Sequence, residues 1–253
     1  MARRWVLRQS GRGLLGFAIL GVVACSDERG ASGGGPSSAG TSGETPTSDS
    51  AAGSDSGPGQ ELAWSRVDLG FVSAYVLVRG DQAAVVDTGV EGSADAIGAV
   101  LDEAGPGWVG VRHVVLTHKH PDHAGSVSEV LSRSGGATGY VGEADLDDVP
   151  ADNLRALADG DEVFGLQIVA TPGHTPGHVA VFDPDTKLLV AGDSLTNQGH
   201  LTGANPSFSE DMDAAAESVR KLAALAPETI LVGHGQPVTD GAADALSQLA
   251  GSV

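Results

Sequence analysis

Beyond residue 60 the chain alternates short β-branched runs with alanine-rich stretches at helical spacing, and that alternation confines it to an α/β architecture. Strands are expected at 64–69, 74–78 and 83–87, a meander in which Arg79-Gly80-Asp81-Gln82 turns between the last two. Ser93 opens a helix with its own hydroxyl as cap, and the helix runs to Ala104 and stops at Gly105-Pro106-Gly107. An apolar strand follows at 111–117, then a helix at 122–133 and strands near 138–141, 162–163 and 166–170. Asp183-Pro184-Asp185-Thr186 reads as the turn of a hairpin between strands at 179–182 and 187–191. Ser209 caps a helix to Leu225, 229–232 is another strand, and a last helix covers 240–250. A strand-rich beginning, crossover helices and later hairpins make two sheets faced by helices.

The first 60 residues read differently. Arg3, Arg4, Arg8 and Arg12 precede an apolar run at 13–24 that is too short for a comfortable membrane-spanning helix, which is the pattern of an export signal. The run ends in Val22-Val23-Ala24-Cys25-Ser26, which resembles the lipobox of bacterial lipoproteins and implies that Cys25 is diacylated and becomes the mature N-terminus. Arg3-Arg4-Trp5-Val6-Leu7-Arg8 also resembles a twin-arginine export motif. From 26 to 60 the chain is Gly, Ser, Ala, Thr and Pro with scattered acid, and it has no periodic apolar residue to offset the entropy of ordering it. The expected organisation is an export signal at 1–24, a lipidated cysteine and flexible tether at 25–60, and one domain at 61–253 held on the outer face of a bacterial membrane. Cys25 is the single cysteine, so no intramolecular disulfide holds the fold.

Charge narrows the partners. Lys and Arg total 14 against 33 Asp and Glu, a net charge of −19, and the residues before 60 are balanced, so the whole excess falls on the domain. Proteins that bind nucleic acid cluster cations to displace counterions from phosphates, and this balance is the reverse. A small-molecule substrate is expected, and no nucleic acid.

His118-Lys119-His120-Pro121-Asp122-His123 leaves the end of the apolar strand. Residues two apart on extended backbone point the same way, so His118 and His120 reach one metal ion, while Pro121 turns Asp122 and His123 toward a neighbouring position. Three histidines and an aspartate within six positions form a metal-ligand cluster with no sensible packing role. His174 in Thr171-Pro172-Gly173-His174-Thr175-Pro176-Gly177-His178, Asp193 in Ala191-Gly192-Asp193-Ser194, and His234 in Gly233-His234-Gly235 each follow a strand, where a sheet can hold ligands in fixed geometry.

In order and spacing these motifs resemble the metallo-β-lactamase superfamily across 64–238. The resemblance implies an αββα sandwich of the α+β class, two mixed sheets flanked by helices, with a dinuclear site at the sheet edge. It implies that His118, His120 and His174 bind one metal, that Asp122, His123 and His234 bind the other, and that Asp193 bridges them. Asp87, in Val85-Val86-Asp87-Thr88-Gly89, matches the family's early Asp-bearing strand end and is expected to accept a hydrogen bond from a ligand histidine. Two divalent ions, zinc first with iron or manganese also accommodated, then generate hydroxide from water near neutral pH. Asp122 is the candidate catalytic residue that orients this hydroxide or shuttles its proton.

An exported hydrolase of a carbonyl ester, lactone or similar small substrate follows. Asp193 stands where the β-lactamases that named the fold carry Cys or Ser, which disfavours true β-lactamase activity. Only 19 residues follow His234, against the helical substrate domain of glyoxalase II. Three other readings stay open: β-lactamase-like amide hydrolysis, iron-dependent sulfur oxidoreduction, and a non-catalytic metal-binding lipoprotein. Among the remaining side chains, His200, Phe208 and Tyr140 are candidates to line the cleft. His113 and His178 are expected to be structural or to support a ligand, Lys119 to face solvent, and the acidic runs 143–148 and 159–162 to be solvated surface.

Overall fold

The computed structural model describes residues 60–253. The expected export signal, Cys25 and all of the tether before residue 60 lie outside the described residues. Thirteen strands and six α-helices follow in chain order, with a 3-10 helix at Glu143–Asp148. They are β1 (Ala63–Asp68), β2 (Ser73–Arg79), β3 (Gln82–Val86), α1 (Ala94–Ala104), α2 (Gly107–Gly110), β4 (Val111–Val115), α3 (Pro121–Ala124), α4 (Val127–Ser134), β5 (Thr138–Gly142), β6 (Arg155–Leu157) and β7 (Glu162–Val163). The rest are β8 (Leu166–Ala170), β9 (Val179–Asp183), β10 (Leu188–Gly192), β11 (Leu195–Asn197), β12 (Leu201–Gly203), α5 (Met212–Ala223), β13 (Thr229–Val232) and α6 (Ala242–Ala250). No helix among the described residues is long and apolar enough to cross a membrane.

One sheet has the order β1-β2-β3-β4-β5-β6 and the other β13-β10-β9-β8-β7, with β11 and β12 as a separate hairpin. The first sheet is antiparallel from β1 to β3 and parallel from β3 to β6, because helical crossovers replace tight turns after residue 87. In the second, β10 pairs antiparallel with β9 and parallel with β13. Both sheets are therefore mixed, as expected.

Strand alternation divides the core into three layers. Tyr75, Leu77, Val86 and Val115 point one way and meet Ile168, Val181, Val190 and Leu231 of the opposite sheet. Their neighbours Val76, Val85 and Val114 point the other way, onto Ile97 and Leu101 of α1 and Val127 and Val130 of α4. The far face of the second sheet, including Ala180, Leu189 and Ile230, packs on Val219 and Leu222 of α5 and Leu246 of α6. Two sheets between two helical layers form the αββα sandwich.

Several local expectations change. The helix expected at 122–133 is two helices broken at Gly125-Ser126, because the loop after β3 crosses the break. Gly125 N–H donates to Gly89 O at 2.9 Å, and a Cβ on Gly125 would lie 2.6 Å from Glu91 N. Ser93 leaves α1 without a side-chain cap, and its N–H instead donates to Ser126 Oγ at 2.9 Å. Asp211, not Ser209, caps α5 by accepting from Asp213 N and Ala214 N. The strand expected at 111–117 ends at Val115 and is not fully apolar, since Arg112 is exposed on it. Tyr140 packs inward on His113 at 5.8 Å between ring centroids rather than lining a cleft.

Candidate metal centre

The C-terminal ends of β3, β4, β8, β10 and β13 lead directly to Asp87, His118, His174, Asp193 and His234. Within the first sheet β3 and β4 run parallel, and within the second β8, β10 and β13 share one direction, so the ends of each set fall at one edge. Backbone there has left its ladder and is free to aim side chains.

All seven expected ligands converge. His120 Nδ1 lies 3.1 Å from His118 Nε2 and 2.9 Å from His174 Nε2. His234 Nε2 lies 3.3 Å from an Asp122 carboxylate oxygen and 3.2 Å from one of Asp193. Asp193 reaches both sides, with His123 Nε2 at 3.3 Å from one oxygen and His174 Nε2 at 3.5 Å from the other. The donor atoms of His118, His120 and His174, and those of Asp122, His123 and His234, each fall within 4.8 Å of one another, and His118, His123 and Asp193 make a third such group.

Each imidazole's far nitrogen determines what it offers the centre. His123 Nδ1–H donates to Asp87 Oδ2 at 2.8 Å, which leaves Nε2 as a lone pair. His234 Nδ1–H donates to Phe71 O at 2.7 Å, which turns Nε2 toward Asp122 and Asp193. The Thr117 hydroxyl donates to the Asp87 carboxylate at 2.9 Å, so it accepts from His118 Nδ1–H at 3.0 Å. The Ser209 hydroxyl donates to Asn205 O at 2.7 Å and accepts from His174 Nδ1–H at 3.2 Å. Four Nε2 atoms and two carboxylates then face a shared space. His123 Nε2 and Asp193 Oδ1 are buried there without a hydrogen-bond partner. Such orphans are rare and cost about 1–3 kcal/mol each, and a nitrogen-and-oxygen set of this kind suits borderline and hard divalent cations. The residues present fit a metal centre.

The protein atoms alone spread the titrations apart. Burial, with the imidazoles of His123, His178, His174 and His120 around it, holds His118 well below the ordinary histidine range. Burial likewise lowers His174 to about 4. Hydrogen bonds to Asp122 and Asp193 raise His234 to about 10. Burial pushes Asp193 upward, but the surrounding histidines, His123 foremost, outweigh it and hold the carboxyl well below its usual range.

Residues outside the expected ligand set complete the support. Asp145, expected on a solvated acidic run, is fully buried. It accepts from Lys119 N at 3.1 Å, Thr175 Oγ1 at 2.6 Å and Gly177 N at 2.8 Å, so it ties the His118–His123 loop to the His174 loop. His178 accepts from Asp193 N through Nε2 at 3.1 Å, and burial lowers it to about 3, so it stays neutral and able to accept. Lys119, expected to face solvent, is half-buried between Asp148 at 2.9 Å and Glu210 at 3.3 Å. Gly233 is required where it stands, since a Cβ there would lie 2.2 Å from Asp193 Oδ1.

A cleft of about 520 Å³ opens over the centre, with His120, Asp122, His174, Asp193 and His234 on its floor. Of the candidates the sequence offered, Phe208 lines it and His200 does not, and Phe71 does so without having been singled out.

An αββα sandwich that gathers five histidines and two aspartates at its strand ends defines a class of metal-dependent proteins. Residues 67–234 match the family model described as the metallo-beta-lactamase superfamily, and the chain belongs to that superfamily. It is 31% identical to the Bacillus subtilis protein named "Probable metallo-hydrolase YflN", across 61% of this chain and 76% of that one. It is 36% identical to the hydroxyacylglutathione hydrolase of Cereibacter sphaeroides across 53% of this chain, and it spans about half of that protein, 55%. Among solved structures, TTHA1429 of Thermus thermophilus superposes with a TM-score of 0.61 at 24% identity, covering 76% of this chain and 78% of that one. TTHA1623 in a di-iron-bound form does so with 0.57 at 28% identity, covering 66% and 89%.

Proposed function

We propose that the domain is a dinuclear-metal hydrolase acting on a carbonyl ester, lactone or similar small substrate. The observation that carries this reading is the convergence of seven ligand side chains around His123 Nε2 and Asp193 Oδ1, buried atoms 3.3 Å apart that make no hydrogen bond. His118, His120 and His174 would hold one ion, Asp122, His123 and His234 the other, and Asp193 both. Two bound cations supply Lewis acidity, which lowers the pKa of water toward about 7 and polarises a carbonyl oxygen.

The chain's own residues do the rest. The Nδ1 partners Thr117, Asp87, Ser209 and Phe71 fix four rings so that no reorientation is needed during reaction. Asp122 faces the cleft with part of its carboxylate exposed, placed to take the proton of the attacking water and pass it to the departing alcohol as the acyl C–O bond breaks. Zinc is the first expectation for the metal. Iron is the specific alternative, supported by the di-iron neighbour, and with it an oxidative reaction in place of hydrolysis.

The export reading is part of the proposal. Cys25 is taken as a lipid anchor that holds the domain outside the membrane, and Cys25→Ser should release the protein from washed membranes. The catalytic reading is tested by loading purified protein with zinc, iron or manganese and screening esters, lactones, thioesters, β-lactams and phosphodiesters. His118→Ala and Asp193→Ala should each abolish whatever turnover is found, and activity that survives both would refute the assignment.

A further inference from the structure

Of the four phenylalanines in the described domain, Phe164 and Phe182 are buried in the core, while Phe71 and Phe208 are 62% and 68% exposed and both line the cleft over the metal centre. Neither hangs loosely. Phe71 follows Gly70 in the β1–β2 turn closed by Leu69 N–H to Val72 O at 3.1 Å. Its ring stacks on His234 with 16° between planes, and its carbonyl accepts from that histidine at 2.7 Å. Phe208 closes a turn through its N–H to Asn205 O at 3.1 Å, and the same carbonyl accepts from Ser209, whose hydroxyl holds His174. Each exposed ring is thus mounted on a turn bonded to a different ligand histidine.

The other lining groups beyond the ligands include the hydroxyl of Thr196 and the amides of Gln198 and Asn205, and among the described residues no lysine or arginine lines the cleft. The cations on adjoining segments are engaged elsewhere, Lys119 by Asp148 and Glu210, and Arg66 by Gln236 at 2.9 Å. A carboxylate held against these walls, away from the ligand floor, would lose water and meet no lysine or arginine, which is costly, whereas an apolar group would bury aromatic surface.

Resting on the hydrolase reading above, we propose that the cleft selects neutral esters or lactones with an apolar group seated against Phe71 and Phe208, and that it rejects substrates carrying a remote carboxylate. A glutathione thioester, with carboxylates at both ends of the tripeptide, falls in the rejected class.

The test uses the metal-loaded full chain with ethyl acetate, ethyl heptanoate and monoethyl pimelate, followed by acid release at constant pH. The heptanoate and pimelate probes share chain length and leaving group and differ in the remote carboxylate. The heptanoate ester should show at least about tenfold higher kcat/KM than the pimelate monoester. Phe71→Ala and Phe208→Ala should each lower its kcat/KM about ten- to a hundredfold, mainly through KM, with a much smaller effect on ethyl acetate. Gln198→Lys should narrow the gap by improving the pimelate. A readout without turnover is calorimetric binding of heptanamide against 6-carboxyhexanamide, with the neutral amide binding more tightly. Equal or better hydrolysis of the pimelate monoester, or heptanoate kinetics unchanged by both phenylalanine substitutions, would overturn the inference and leave the hydrolase reading standing. Failure to cleave any of the three esters, with neither amide bound, would overturn the inference, while the hydrolase reading is decided by the wider substrate screen.

Discussion

Asp87 occupies the left-handed region at φ 62°, a conformation costly for a residue with a side chain, and it is kept there by the bonds its carboxylate makes. Thr117 N–H donates to it at 2.7 Å, the Thr117 hydroxyl at 2.9 Å and His123 Nδ1–H at 2.8 Å. Asp87→Asn keeps the shape but offers an amide where His123 needs an acceptor, so metal affinity should fall about ten- to a hundredfold, read by competition with a chromogenic chelator. Unchanged affinity would remove Asp87 from the centre's support. Asp145→Asn should cost about 2 kcal/mol in denaturant unfolding, because an amide cannot accept from Lys119 N, Thr175 Oγ1 and Gly177 N together. The seven ligand candidates and Asp87 were legible in the sequence because ligand chemistry restricts them to His and Asp at strand ends. Asp145 was not, because a buried carboxylate looks like a surface one until the loops that donate to it are in place. Ser209 was misread for a related reason: its hydroxyl suits a helix cap as well as it suits His174, and only the position of Asp211 decides between them.

At the scale of elements, β2 and β13 lie in different sheets and are joined by Tyr75, whose hydroxyl donates to Val232 O at 2.8 Å, one residue before the loop that carries His234. Burial raises Tyr75 from 10.0 to about 12, an effect only partly opposed by Ser73 and Arg66. Between those values the folded chain keeps a proton that the unfolded chain releases, so stability should fall as pH rises from 10 toward 12, by an amount on the order of 2 kcal/mol. Tyr75→Phe should flatten that part of the stability curve, and ultraviolet titration should show one of the two tyrosines ionising late; an unaltered curve in the variant would show that the hydroxyl stays solvated. Most strands fell within a residue or two of their sequence positions, since alternation and turn chemistry are local. The β11–β12 hairpin was missed because 195–203 carries no alternating apolar pattern; its partner is the His234 loop, where Asn197 N–H donates to His234 O at 3.0 Å.

Across the described domain, the candidate ligands come from loops of both sheets, so a bound metal would tie the two halves of the sandwich together. Any cation that binds the folded form alone stabilises it by mass action, about 2.7 kcal/mol at a hundredfold excess over its Kd. For a domain of this size that amounts to a Tm rise of roughly 5–10 °C on adding zinc to chelator-treated protein, reversed by chelator. Identical melting curves with and without metal would contradict a centre built from these residues. The amino-acid order alone determined the alternation that makes two sheets with helical faces, and the type and spacing of the metal-ligand side chains, because both follow from the period of extended chain and from what a cation accepts as a donor. Only the tertiary structure decided which nitrogen each imidazole turns inward, that Asp145 clamps two loops, and that Phe71 stands over the cleft. Those features are contacts between segments far apart in the chain, His234 and Phe71 being 163 positions apart, and no local pattern encodes which surfaces will meet once the sheets have packed.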